Sequence, residues 1–96
     1  MQRRKAQSIG QLLRDYLRQE GLETPLNEHR LLEAWGTVMG DMVNRQTTDL
    51  SVRNGILYVS LKSPILRQEL MLNRDMLAQK LNRHVGAQVI TDIVFK

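Results

Sequence analysis

The sequence has no cysteine. This excludes a disulfide framework, a thiolate metal site and a thiol nucleophile. It also predicts a reduced, cytoplasmic setting. Histidine is nearly absent: His29 and His84 sit on different predicted helices. Neither has a second histidine or a carboxylate cluster at ligand spacing, so no metal site is expected. Both read as surface residues of helices. No apolar run approaches the ~20 residues of a membrane span. The opening Met1-Gln2-Arg3-Arg4-Lys5 is basic, but Ala6-Gln7-Ser8-Ile9-Gly10 is too polar for a secretory signal. There is no glycine-rich phosphate loop, no Ser/His/Asp order and no carboxylate pair. The expected class is therefore not an enzyme, with no cofactor and no small-molecule substrate.

What is there fits one small domain. Ninety-six residues, 42% hydrophobic and 25% charged, carry no repeat, low-complexity tract or linker. At this size folding buries roughly 60–65% of the chain's surface. Fourteen cations face ten anions, for a net charge of +4. Ten of the cations are arginine, which favours planar, bidentate contact with phosphate or carboxylate. The surplus is uneven. Arg3, Arg4 and Lys5 hold +3 of it, leaving 11 cations and 10 anions in residues 6–96. The division is thus a basic arm over 1–7 and a nearly neutral domain over 8–96.

Hydrophobic spacing predicts the elements. Ile9, Leu12, Leu13, Tyr16 and Leu17 share one face of a helix from about Ser8 to Glu20, with Gly21 as its C-cap. Gln7, Gln11, Arg14 and Arg18 lie on the other face. A second helix starts near Thr24-Pro25, carries Leu31, Leu32, Trp35, Val38 and Met39, and ends at Gly40. Gly36-x-x-x-Gly40 reads as helix packing plus a cap.

Asn54-Gly55 predicts a type I′ hairpin. It pairs Arg53 with Ile56, Val52 with Leu57, Ser51 with Tyr58 and Leu50 with Val59. Leu50, Val52, Leu57, Val59 and Leu61 then face the core. Asp49, Ser51, Arg53, Ile56, Tyr58, Ser60 and Lys62 face away.

Ser63-Pro64 caps a third helix, expected to run unbroken from Pro64 to His84. Leu66, Leu70, Leu77 and Leu81 form its stripe, flanked by Ile65, Met76 and Leu72, with Asn73 interrupting. Val85-Gly86 ends it. A last strand over Val89–Phe95 turns Val89, Thr91, Ile93 and Phe95 inward. The order ααββαβ predicts a two-layer α+β domain, its three-stranded sheet covered by helices on one face.

Two surfaces are candidates for nucleic acid. One is the arm with its helix face: Arg3, Arg4, Lys5, Arg14 and Arg18. The other is the open sheet face with Arg53, Tyr58 and Lys62, where a ring can stack a base while cations hold phosphate. Arg67, Met71, Asn73 and Arg74 on the third helix are candidates for a protein partner. Ordinary solvated faces explain the same residues.

Ordered landmarks carry a family resemblance. They are Trp35-Gly36-x-Val38-Met39-Gly40, the hairpin Leu50-x-Val52-x-Asn54-Gly55-x-Leu57-x-Val59-x-Leu61, Ser63, Glu69-Leu70, Leu81-Asn82-x-x-Val85-Gly86 and Ile93-Val94-Phe95. The chain resembles the DciA family of bacterial helicase-loading proteins. Ala6-Gln7-Ser8-Ile9-Gly10 is similar to short Bacteroidetes-type members. The resemblance implies a KH-like fold. It also implies help in loading the replicative helicase, DnaB, onto single-stranded DNA, without an ATPase of its own.

Three departures qualify it. A nucleic-acid-binding KH domain clamps the backbone with a GxxG loop. Gly36 and Gly40 have one residue too many between them, so DNA contact would fall to basic side chains. Many members carry a basic tail beyond the domain, whereas this sequence stops at Lys96. Its activity would then be absent or moved to the N-terminus. Members often have an aromatic where this chain has Ile65-Leu66. Two other readings stay open: an adaptor that binds protein without DNA, and a KH-like module associated with RNA or the ribosome.

Overall fold

The structure, a computed structural model, describes residues 8–19 and 23–96. Helix α1 spans Ile9–Gln19. The Ser8 hydroxyl caps it by accepting from the Gln11 backbone N–H at 3.1 Å. Ile9, Leu12 and Leu13 are all exposed, so this part of the predicted stripe lies outside the core. Gly21 lies outside the described residues, as do the side chains of Tyr16 and Leu17.

Helix α2 spans Glu23–Met39. Thr24 and Pro25 fall inside its first turn rather than at its cap, a position where proline removes no helical hydrogen bond. Leu31 and Trp35 are fully buried and Ala34 nearly so. Trp35 fills the largest share of the core, and truncating such a ring costs about 3–5 kcal/mol. Its indole N–H donates to Thr47 Oγ1 at 3.0 Å. That hydroxyl in turn donates to the Val43 carbonyl at 2.8 Å.

A short helix α3, Asp41–Gln46, follows the turn at Gly40. Sequence periodicity does not reveal it, because six residues bury only Val43. Gly36 makes room for it: a Cβ there would sit 3.1 Å from the Asn44 side chain.

Strands β1 (Thr47–Arg53) and β2 (Ile56–Leu61) pair antiparallel. Asn54 and Gly55 take φ of 51° and 78°, the left-handed pair a type I′ turn requires. The four predicted pairs, from Arg53–Ile56 to Leu50–Val59, are all formed. A bulge between Thr47 and Asp49 then shifts the register. Strand β3, Asp92–Phe95, adds parallel to β2 with Tyr58 opposite Val94. The sheet is therefore mixed, in the order β1-β2-β3.

The expected third helix is two helices. Helix α4 spans Pro64–Leu72 and α5 spans Arg74–Val85. Ser63 caps α4 as predicted, accepting from the Leu66 N–H at 3.2 Å. Asn73 breaks the run with ψ near 15°, and its side-chain amide donates to the Glu69 carbonyl at 3.1 Å. Asparagine competes for backbone partners in this way and so favours helix ends. The break changes the phase of the stripe. Leu77, Ala78 and Leu81 are buried, and Leu66 and Leu70 pack on the core. Ile65, Leu72 and Met76, expected to flank the stripe, are instead exposed.

The last strand is shorter than expected. Ile93 and Phe95 point inward, but Thr91 is exposed and Ile90 is fully buried in its place. The reason is Asn82, whose side chain binds the backbone of Val89 and Ile90 and interrupts the strand alternation there. Thr91 then donates its backbone N–H to the Gly55 carbonyl at 2.7 Å.

Over the described residues the order is αααββααβ rather than ααββαβ. The α+β class and the three-stranded sheet stand. The core lies between the sheet and the buried faces of α2 and α5. On the opposite sheet face no described residue is buried.

Candidate nucleic-acid interface

The hairpin positions Arg53 and Tyr58 by register. Tyr58 pairs with Ser51, so Arg53, two residues on, is its diagonal neighbour on the same face. The Arg53 guanidinium carbon lies 4.7 Å from the Tyr58 ring centroid. A second cation, Lys96, places its Nζ 5.6 Å from that centroid. Its backbone is held in line with β2: the Lys96 N–H donates to the Val59 carbonyl at 2.7 Å, and its carbonyl accepts from Leu61 at 3.0 Å. Val94 and Lys96 share a strand face, and Val94 is opposite Tyr58, so alternation delivers the ammonium to the ring.

Each cation–π contact at an exposed site contributes about 0.5–1 kcal/mol. Among the described residues neither Arg53 nor Lys96 has an ion-pair partner. The ring is half-buried. A half-covered aromatic between two uncompensated cations can present both stacking surface and phosphate contact. Lys62 is exposed just after β2 and is not one of the cations over the ring. Its backbone N–H donates to the Gln46 carbonyl at 2.9 Å.

Lys96 has no signal in the sequence. Finding it requires the parallel pairing of β3 with β2, which no local pattern specifies.

Arg3, Arg4 and Lys5 lie outside the described residues. Arg14 and Arg18 fall within α1, but their side chains lie outside the described residues as well.

Arg67, Met71, Asn73 and Arg74 lie along α4 and its break. Arg67 is half-buried and Met71 exposed. Arg74 is tied to β3 by an ion pair with Asp92 at 3.3 Å. Both partners are nearly half exposed, so the pair contributes little, about 0–1 kcal/mol. The larger apolar feature here is Ile65, Leu72 and Met76. Ile65 and Leu72 are seven residues apart, a spacing that puts them on one helical face.

His29 reaches Glu33 across one turn at 3.5 Å. His84 lies exposed on α5. Among the described residues no group of three or more His, Asp or Glu could hold a metal ion. No described helix is long and apolar enough to cross a membrane.

A mixed three-stranded sheet, helices against one face and mostly polar or cationic side chains beside Ile56 and Val94 on the other, defines a small α+β domain that offers surfaces for contact. The chain belongs to the DciA family: the family model, described as "Dna[CI] antecedent, DciA", matches residues 8–95. It is also similar to a "UPF0232 protein" of Mycolicibacterium paratuberculosis, 29% identical over 90 residues. That match covers 94% of this chain and 50% of the relative. The chain thus spans about half the length of the curated relative it matches.

Proposed function

We propose that this protein is a non-enzymatic replication factor, acting in the cytoplasm, that helps place the replicative helicase DnaB on single-stranded DNA. The family match over residues 8–95 is the observation that carries this reading. The KH likeness belongs to the same proposal. DNA contact then comes from side chains rather than a GxxG clamp, since the sequence holds no GxxG. Arg53, Tyr58 and Lys96 supply one contact surface, with Lys62 beside it. The basic arm of residues 1–7, with Arg14 and Arg18, supplies further phosphate contacts.

The test has two arms. Purified protein is offered to immobilised DnaB, and oligo-dT binding is measured over a salt series for wild type and for Arg3/Arg4/Lys5→Ala. Phosphate contact gives a negative slope of log K against log salt, and the arm variant has a shallower one. Failure to capture the helicase together with salt-independent DNA binding overturns the reading.

A second reading, an adaptor that binds the helicase without DNA, is favoured by the exposed Ile65, Leu72 and Met76 beside Arg67, Met71, Asn73 and Arg74. Helicase capture with no DNA affinity would select it.

A further inference from the structure

Helices α2 and α5 leave a trough between their outer sides. On α2, Arg30, Glu33, Ala34 and Thr37 follow the i, i+3, i+4, i+7 spacing of one face. With His84 and Val85 of α5 they line a cavity of about 330 Å³. A neighbouring cavity of about 390 Å³ is lined by Thr37, Val38, Lys80, Arg83 and His84. The two share Thr37 and His84 and so run together.

The floor is Ala34, buried, with Val38 and Val85 half-covered. The rims are cationic. Arg30, Lys80 and Arg83 are exposed, and none has an ion-pair partner among the described residues. Glu33 is the only anion lining either cavity among the described residues, and it lies 3.5 Å from His29 Nε2.

We propose that this trough is a second phosphate-binding surface, for the backbone of a single nucleic-acid strand, distinct from the sheet face around Tyr58. Three features select the ligand. Arg30 to Thr37 spans about 10 Å at 1.5 Å per residue, which exceeds one phosphate and suits a chain of them. The trough is open, whereas small-molecule sites enclose most of their ligand. Among the described residues it also holds no Trp, Tyr, Phe or large apolar side chain, of the kind that anchors a peptide partner. Its three cations address phosphate oxygens, contacts that position a strand and carry no sequence preference. The helices cover the sheet's core face, so the trough and Tyr58 lie on opposite sides of the domain. The identity of the polyanion rests on the single-stranded DNA reading above.

The experiment compares wild type, Arg30/Lys80/Arg83→Ala and Arg53/Tyr58/Lys96→Ala by fluorescence anisotropy with labelled oligo-dT over a salt series. The three trough cations are exposed, so circular dichroism and the urea midpoint stay at wild-type values. Each phosphate contact to a single strand contributes about 0.7 to the salt slope, so the trough variant loses about 2 from it. Arg83→Ala alone flattens the slope, whereas Arg45→Ala, an equal charge loss on α3, leaves it near wild type.

Wild-type binding with an unchanged slope in the trough variant overturns the trough and leaves the DNA reading standing. No wild-type binding at the lowest salt overturns both. Polyglutamate that displaces oligo-dT from wild type, yet fails to bind the trough variant, reassigns the surface to an acidic peptide and overturns the proposal.

Discussion

Asn82 clasps the backbone at Ile90 from both sides: its amide donates to the Ile90 carbonyl at 2.8 Å, and its Oδ1 accepts from the Ile90 N–H at 3.1 Å. The same oxygen accepts from Val89 at 3.0 Å. A side chain thereby acts as a short strand. It positions Ile90 in the core and aims the chain into β3.

Asn82→Ala is expected to lower stability by about 2–3 kcal/mol, because three backbone groups lose partners in a half-buried setting. Asn82→Asp keeps the acceptor but sets a carboxylate oxygen against the Ile90 carbonyl that the amide served, so it too is destabilising, by about 1–3 kcal/mol. Urea unfolding checks both. Equal stability of Asn82→Ala and wild type would show that the clasp contributes nothing.

Thr47 joins the indole of Trp35 to the Val43 carbonyl. Thr47→Val keeps the shape and removes both links, leaving the buried indole N–H without its partner. The expected cost is about 1–3 kcal/mol, with a shifted tryptophan emission. Thr47→Ser retains the relay and stays nearer to wild type. A serine variant as unstable as the valine variant would refute the relay.

Ile65 and Leu72 are 75% and 81% exposed. Replacing both with serine is expected to change stability by less than about 0.5 kcal/mol each. If α4 faces the helicase, the same variant loses helicase capture while DNA binding persists. Full capture by this variant would place the helicase contact elsewhere.

Tyr58→Ala removes the ring between Arg53 and Lys96. Base–aromatic stacking is worth about 1–3 kcal/mol, so oligo-dT affinity is expected to fall at least fivefold by anisotropy. Tyr58→Phe keeps the stacking surface and stays within about twofold. Loss of affinity in the phenylalanine variant equal to that in alanine would assign the effect to the hydroxyl instead.

Much of the sheet face was legible beforehand. Arg53 and Tyr58 were placed together by turn chemistry and strand alternation alone, since both belong to one hairpin. Lys62 belonged to the same alternation, but the end of β2 carries it away from the ring. Lys96 follows a strand that begins 38 residues after Asn54 and that no local pattern pairs with β2.

Some of this protein follows from the order of its residues. Asn54-Gly55 dictates the hairpin and its register, because the left-handed turn and the two-residue period leave one pairing that buries Leu57 and Val59. Leu31 and Trp35 dictate the inner face of α2 in the same local way. The tertiary structure alone decided which apolar residues on either side of Asn73 are buried, the parallel seat of β3 beside β2, and the trough of Arg30, Lys80 and Arg83. Each depends on groups far apart along the chain. Local spacing selects the face of a single element, whereas packing selects which faces meet.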